Sequence, residues 1–242
     1  MRITKFWVLG GVFMLLLTLG SESAMASSKP INNESFLADK LDKIIKGTTL
    51  SSEGYISFNL QGYLWSFRKV VVKYNINQTR VESKGYGGNF ETAYDINFIK
   101  DGSTLYVDMN NFTEDLVGLF PVEIGKKERN WVKIDLDDKN NSNHTQQVVN
   151  KYLNGYEEMV PNSYLSYIPL VDRSNSFQIK NYGKELQYYS VKYKDRSYIY
   201  TVGDFGISRV KITGKNYDSE LSFRYAPVTV RIPTVVMRVP QI

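Results

Sequence analysis

The chain holds one histidine, His144, and no cysteine, so two of the commonest chemical tools are scarce or missing. Histidine suits proton transfer near neutral pH, but a Ser-His-Asp site needs the ring held rigidly in a cleft. His144 stands instead in the asparagine-rich, polar stretch 137–145. The absence of cysteine excludes disulfides and thiolate chemistry. Asp135-Leu136-Asp137-Asp138 begins like a calcium loop, yet it lacks the central glycine and the distal glutamate that complete one. Glu114-Asp115 and Glu157-Glu158 are sequence neighbours, which do not face each other on a helix as an acid/base pair would. Gly85 to Asn89 is glycine-rich, but Gly87-Gly88 is not followed by the lysine and hydroxyl residue of a phosphate loop, and it reads as a turn. The expectation is a protein that is not an enzyme and carries no metal or cofactor.

The remaining resource is aromatic: eighteen tyrosines and twelve phenylalanines, many at alternate positions. From Phe177 to Ile232 short alternating runs follow one another. Tyr189, Val191 and Tyr193 alternate with Ser190, Lys192 and Lys194. Tyr198, Tyr200 and Val202 flank Thr201. Val210 and Ile212 alternate with Arg209 and Lys211, and Leu221, Phe223 and Tyr225 with Ser222 and Arg224. Val228, Val230 and Ile232 alternate with Thr229 and Arg231. Successive strand residues point to opposite faces, so these runs predict an antiparallel meander with one apolar, aromatic face. Turn formers separate them at Lys194-Asp195-Arg196, Val202-Gly203-Asp204, Gly214-Lys215-Asn216 and Ala226-Pro227.

Upstream, Leu37, Leu41, Ile44 and Ile45 recur at helical spacing over Glu34 to Lys46, with Asn33 or Ser35 to cap the helix and Gly47 to end it. Strands are predicted through Ile56, Phe58 and Leu60, and through Val70, Val72, Tyr74 and Ile76. Another pair, Tyr94-Ile96-Phe98 and Leu105-Val107-Met109, is joined at Asp101-Gly102, a strong hairpin signal. A strand at Trp131, Val132 and Ile134 follows. Helices are expected over 111–120 and 146–156, and Tyr164 to Ile168, between Pro161 and Pro169, reads as an apolar loop or short turn over the sheet.

Residues 1–26 have a basic start, an apolar stretch from Phe6 to Leu19 and the small-x-small site Ala24-Met25-Ala26. That is the plan of a secretory signal peptide cleaved after Ala26, with an uncleaved anchor as the alternative. Residues 27–33 read as a flexible leader and 34–242 as a single domain, long enough for a large core. Lys+Arg total 30 against 25 for Asp+Glu. Residues 176–242 hold eleven basic and five acidic side chains, the basic ones mostly on the polar side of the meander. Two readings stand for that surplus: solubility with edge protection, or loose attraction to an anionic cell surface. Nucleic acid is not expected, because no reader motif is present.

The order of helix, strands, inserted helical stretch and meander resembles the LolA/LolB and LppX-like superfamily of envelope lipoproteins and lipoprotein carriers. So do Asp101-Gly102-Ser103-Thr104-Leu105-Tyr106-Val107, Asn130-Trp131-Val132-Lys133-Ile134-Asp135 and Ala226-Pro227-Val228-Thr229-Val230-Arg231-Ile232-Pro233. The resemblance implies an α+β fold, a strongly curved antiparallel half-barrel covered by a few helices, with an apolar hollow for acyl chains. No lipobox cysteine and no gating arginine is matched, which implies a free or non-covalently attached protein and leaves lipoprotein shuttling without a carrier residue. The hollow's expected lining is Val72, Tyr74, Ile96, Phe98, Tyr189, Val191 and Phe223, with a lipid or other apolar ligand as partner. The alternative is a filled core in a module that acts through its surface at the cell envelope.

Overall fold

The computed structural model describes residues 33–62, 66–88, 93–108, 131–137, 160–182, 187–234 and 236–238. The expected signal peptide, the leader before Asn33, the helices over 111–120 and 146–156, and His144 lie outside the described residues.

Helix α1, Asn33–Lys46, forms where Leu37, Ala38, Leu41, Ile44 and Ile45 make one apolar stripe. Glu34 in its first turn and Lys43 and Lys46 in its last complement the helix dipole. The Gly47 N–H donates to the Lys43 carbonyl at 3.0 Å and closes the helix. Ala38 and Leu41 are wholly buried, against strands described next.

Among the described residues, twelve strands make one open sheet. They are β1 Glu53–Gly62, β2 Ser66–Asn75, β3 Arg80–Gly88, β4 Ala93–Asp101, β5 Thr104–Asp108, β6 Trp131–Asp135, β7 Phe177–Tyr182, β8 Gln187–Tyr193, β9 Arg196–Gly203, β10 Gly206–Gly214, β11 Tyr217–Arg224 and β12 Val236–Arg238. Their spatial order is β12-β6-β5-β4-β3-β2-β1-β11-β10-β9-β8-β7. All neighbours pair antiparallel except β12, which runs parallel to β6. The chain thus lays down two meanders, β1–β6 and β7–β11, and joins them where β1 pairs with β11. The Asp101-Gly102 hairpin forms as expected: Gly102 sits at φ +57°, where an L side chain is disfavoured.

Two expectations are corrected. Gly85 to Gly88 is not a turn but the end of β3. A Cβ at Gly85 would lie 2.0 Å from the Lys69 carbonyl oxygen and 2.7 Å from the Val70 Cα, so β3 closes on β2 where only glycine fits. The alternation from Val228 to Ile232 is not a strand either. Residues 225–233 have no ladder and cross the far side of the sheet as a strap, with Val228 and Val230 buried against Ile99 and Tyr106. One-sided burial of an extended segment produces the same period as a strand does. Each buried valine contributes about 1.5–3 kcal/mol of hydrophobic stabilisation. The strap is pinned by Glu53, whose carboxylate accepts from the Val228 N–H at 2.9 Å, and by Asn75, which donates to the Val228 carbonyl at 3.2 Å.

The other side of the sheet carries the main core, to which strands β1 to β11 all contribute. α1 lies chiefly against β7 and β10. From β6 the chain must pass to β7 at the opposite edge, and the described end of this crossover runs over the core. Its 3₁₀ helix Pro161–Tyr167 buries Tyr164, and Tyr167 stacks on Phe58 with ring centroids 5.4 Å apart. Asp42 of α1 ties the crossover down, accepting from the Val171 N–H at 2.9 Å and pairing with Arg173 at 2.9 Å.

Candidate functional site

Strand register decides which inner-face residues meet. Phe98, Ser83, Val72, Ile56 and Phe223 are successive cross-strand partners from β4 to β11, so three of the expected lining residues share one lateral row. The adjoining row has Ile96 opposite Gly85, passes Val70, Phe58, Leu221 and Val210, and reaches Tyr200 opposite Tyr189. Tyr74 lies one step beyond Val72 on the same face of β2, and Val191 one step beyond Tyr189 on β8. Val72, Tyr74, Phe98, Tyr189 and Val191 are completely buried and Phe223 is 5% exposed, all within one apolar cluster. The Ile96 side chain lies outside what is described.

Between these large residues β3 presents almost nothing. Its inner positions after Val81 are Ser83, Gly85 and Gly87, flanked by Val72 on β2 and Phe98 on β4. The result is a line of small residues running down an otherwise bulky apolar face. Ser83 is wholly buried and its hydroxyl has no hydrogen-bond partner among the described residues; the Tyr74 and Tyr189 hydroxyls are likewise buried without one. Each such group costs about 1–3 kcal/mol of lost hydration.

The tyrosines of this face are uncharged. Burial pushes the Tyr200 and Tyr193 phenols far above their ordinary range. Tyr74 is raised by burial too. Tyr225, at the rim, is pushed up to about 12 by the same desolvation. All four stay neutral across the physiological range. The Tyr200 hydroxyl donates to the Pro169 carbonyl at 3.0 Å, and the Asp172 N–H donates to the Tyr193 oxygen, so two of these phenols hold the crossover over the face.

Among the described residues no three His, Asp or Glu side chains converge to hold a metal ion. Asp137 donates its N–H to the Asp135 carboxylate at 3.0 Å, which makes a local turn of the two acids that begin the calcium-like stretch. No helix among the described residues is long and apolar enough to cross a membrane.

Sequence reasoning left out Ser83, Phe58 and Tyr200. Tyr200 and Phe58 have the same alternation as the residues selected, so the pattern held them. Ser83 had no signal, because a small polar residue is conspicuous only once its partners Val72 and Phe98 are known. Comparison of the chain with protein-family models and with characterised proteins returns no match in either.

Proposed function

We propose that the protein is a secreted, non-enzymatic protein that binds a lipid or other apolar ligand against the core-facing side of its sheet, curved into a LolA-like half-barrel. What carries this reading is the stretch of β3 at Ser83 and Gly85. A strand glycine at a close backbone approach marks the kind of place where a sheet bends, and the approach of β3 to β2 at Gly85 supports curvature there. Ser83 and the two glycines below it put no bulky side chain of β3 between Val72 on β2 and Phe98 on β4. A twelve-stranded sheet is roughly 50 Å across and a helix only about 10 Å, so α1 spans a small part of the face. Apolar ligands favour concave, apolar walls with a few fixed polar groups, and the unpartnered Ser83 and Tyr189 hydroxyls supply such groups. An acyl chain of about sixteen carbons would gain a gross ~13 kcal/mol on burial, before ordering costs.

The test is to purify the exported protein, extract it with organic solvent and weigh the extract by mass spectrometry. Stoichiometric lipid is the expected result. Its absence, in protein that has never met detergent, counts against the reading. The second reading, a filled core in a surface-acting module, is favoured by the near-zero exposure of Val72, Phe98, Tyr189 and Val191. Export itself rests on the Ala24-Met25-Ala26 site, and the intact mass of the extracellular form should begin at Ser27.

A further inference from the structure

On the far side of the sheet the strap shields only one half. It packs on Tyr55, Ile99, Tyr106 and Trp131, all on β1 to β6, and leaves the far side of β7 to β10 without it. Register lays that uncovered surface out as three cross-strand rows. Tyr182, Tyr188, Thr201 and Arg209 form the first; Lys180, Ser190, Ile199 and Lys211 the second; Gln178, Lys192, Ser197 and Thr213 the third. None of the twelve is acidic, and β7, β8, β9 and β10 contain no Asp or Glu at all.

Several basic residues of the far side are matched, two of them within these rows. Lys73 and Lys84 meet Glu82 at 3.0 and 2.7 Å, and Arg209 and Lys211 lean on Glu220 and Asp218 of β11 at 2.7 and 3.9 Å. Lys180 and Lys192 are exposed and make no ion pair among the described residues. Beside them stand Tyr182, Tyr188 and Ile199, exposed by 52%, 36% and 40%. The third row opens into a shallow notch of about 280 Å³ at the β8–β9 turn, where Lys192, Lys194 and Arg196 outnumber Asp195 and the Ser197 and Thr213 hydroxyls line the wall.

We propose that the far side of β7–β10 docks on the surface of an anionic phospholipid bilayer. Lys180 and Lys192 face the lipid phosphates, the notch receives a headgroup, and Tyr182, Tyr188 and Ile199 sink among the headgroups. Exposed tyrosines suit the bilayer interface, having an apolar body and a polar tip, and lysine keeps its charge in water while its stem lies on apolar surface. A dissolved polyanion would satisfy the lysines but offers Ile199 nothing, which favours a membrane. The proposal stands whether or not the core-facing side holds a cargo.

Sedimentation of the full chain with vesicles tests it. Binding is expected to phosphatidylcholine vesicles containing phosphatidylglycerol, not to phosphatidylcholine alone, and should fade at about 1 M salt. Lys180→Ala with Lys192→Ala should weaken it roughly 25-fold, about fivefold per lysine. Tyr182→Ser with Ile199→Ser, which leaves charge unchanged, should weaken it as well. Lys40→Ala with Lys43→Ala on α1 is the control and should bind like the parent, each variant being checked for unchanged circular dichroism. No binding to anionic vesicles overturns the proposal. So does an equal loss in the α1 control, or polyphosphate competing fully while the Tyr182/Ile199 variant binds normally.

Discussion

Asn75 and Glu53 face each other across the β1–β2 ladder, and the Asn75 amide donates to the Glu53 carboxylate at 3.0 Å. Between them they take up both the N–H and the carbonyl of Val228, so two neighbouring strands grip one residue of the strap. Glu53→Ala should cost about 1–3 kcal/mol, because it leaves the Val228 N–H and the Asn75 amide short of an acceptor. Limited proteolysis should then cut within residues 225–234 faster than in the parent. Unchanged cutting together with an unchanged melting temperature would show that apolar packing alone holds the strap.

Glu82 is a buried carboxylate on β3 between Lys73 and Lys84. Desolvation pushes its pKa up, but hydrogen bonds from Lys84 and Lys73 and the charges of both outweigh it, and the net shift is downward. A carboxylate lowered in the folded state adds stability above its ordinary value of 4.5, and that share is lost as pH falls through the lower folded-state value. Unfolding midpoints followed from neutral pH into this acid range should fall more steeply in the parent than in Glu82→Gln. Parallel curves would contradict the assignment.

Gly85→Ala places a methyl group against the β2 backbone, which has no flexible side chain to swing aside. The expected loss is at the upper end of about 1–3 kcal/mol, the usual range for overpacking. Gly203→Ala is the comparison. Its nearest neighbour is the Ser208 Cβ at 3.3 Å, and a much smaller effect is expected on denaturant unfolding.

Phe98 and Phe223 flank the stretch of the row that passes Ser83, Val72 and Ile56, and beyond Phe98 the row goes on to Val107 and Val132. If room beside Ser83 is where a guest lies, Phe98→Trp and Phe223→Trp should lower the lipid recovered per protein while the unfolding midpoint of lipid-free protein hardly moves. If the row is close-packed, both should lose about 1–3 kcal/mol, and the parent should yield no lipid.

The meander from Phe177 to Arg224 was legible because each of its strands has one wet and one dry face, and such a pattern shows in period two without knowledge of the partner. α1 was legible for the same reason at the helical period. β3 was not: Arg80 to Gly88 has polar and small residues at its inner positions, Ser83, Gly85 and Gly87, so its strand character lives in its neighbours. Val228 to Ile232 misled in the opposite direction, since an alternating segment can dry one side against a sheet without joining it. Of the candidate site, which of the described residues face the core could be read one by one, but their order along the sheet could not. That Phe98 and Phe223 share a row depends on β1 pairing with β11, a contact between chain segments far apart in sequence.

The seam between β1 and β11 also sets the timetable of folding. The β1–β6 and β7–β11 meanders are each built from strands adjacent in sequence, whereas the seam that pairs Ile56 with Phe223 closes most of the chain into a loop. Such long-range strand pairing is slow, in the range of milliseconds to seconds for β proteins, because the closing entropy must be met before the contacts form. A chain emerging amino end first therefore shows β1 with one bare edge and an apolar face until residue 224 has appeared. For that interval it offers a ready template to any other extended strand. A holding chaperone that recognises extended apolar segments would meet it there, at Ile56 and Phe58, before the molecule has a finished interior.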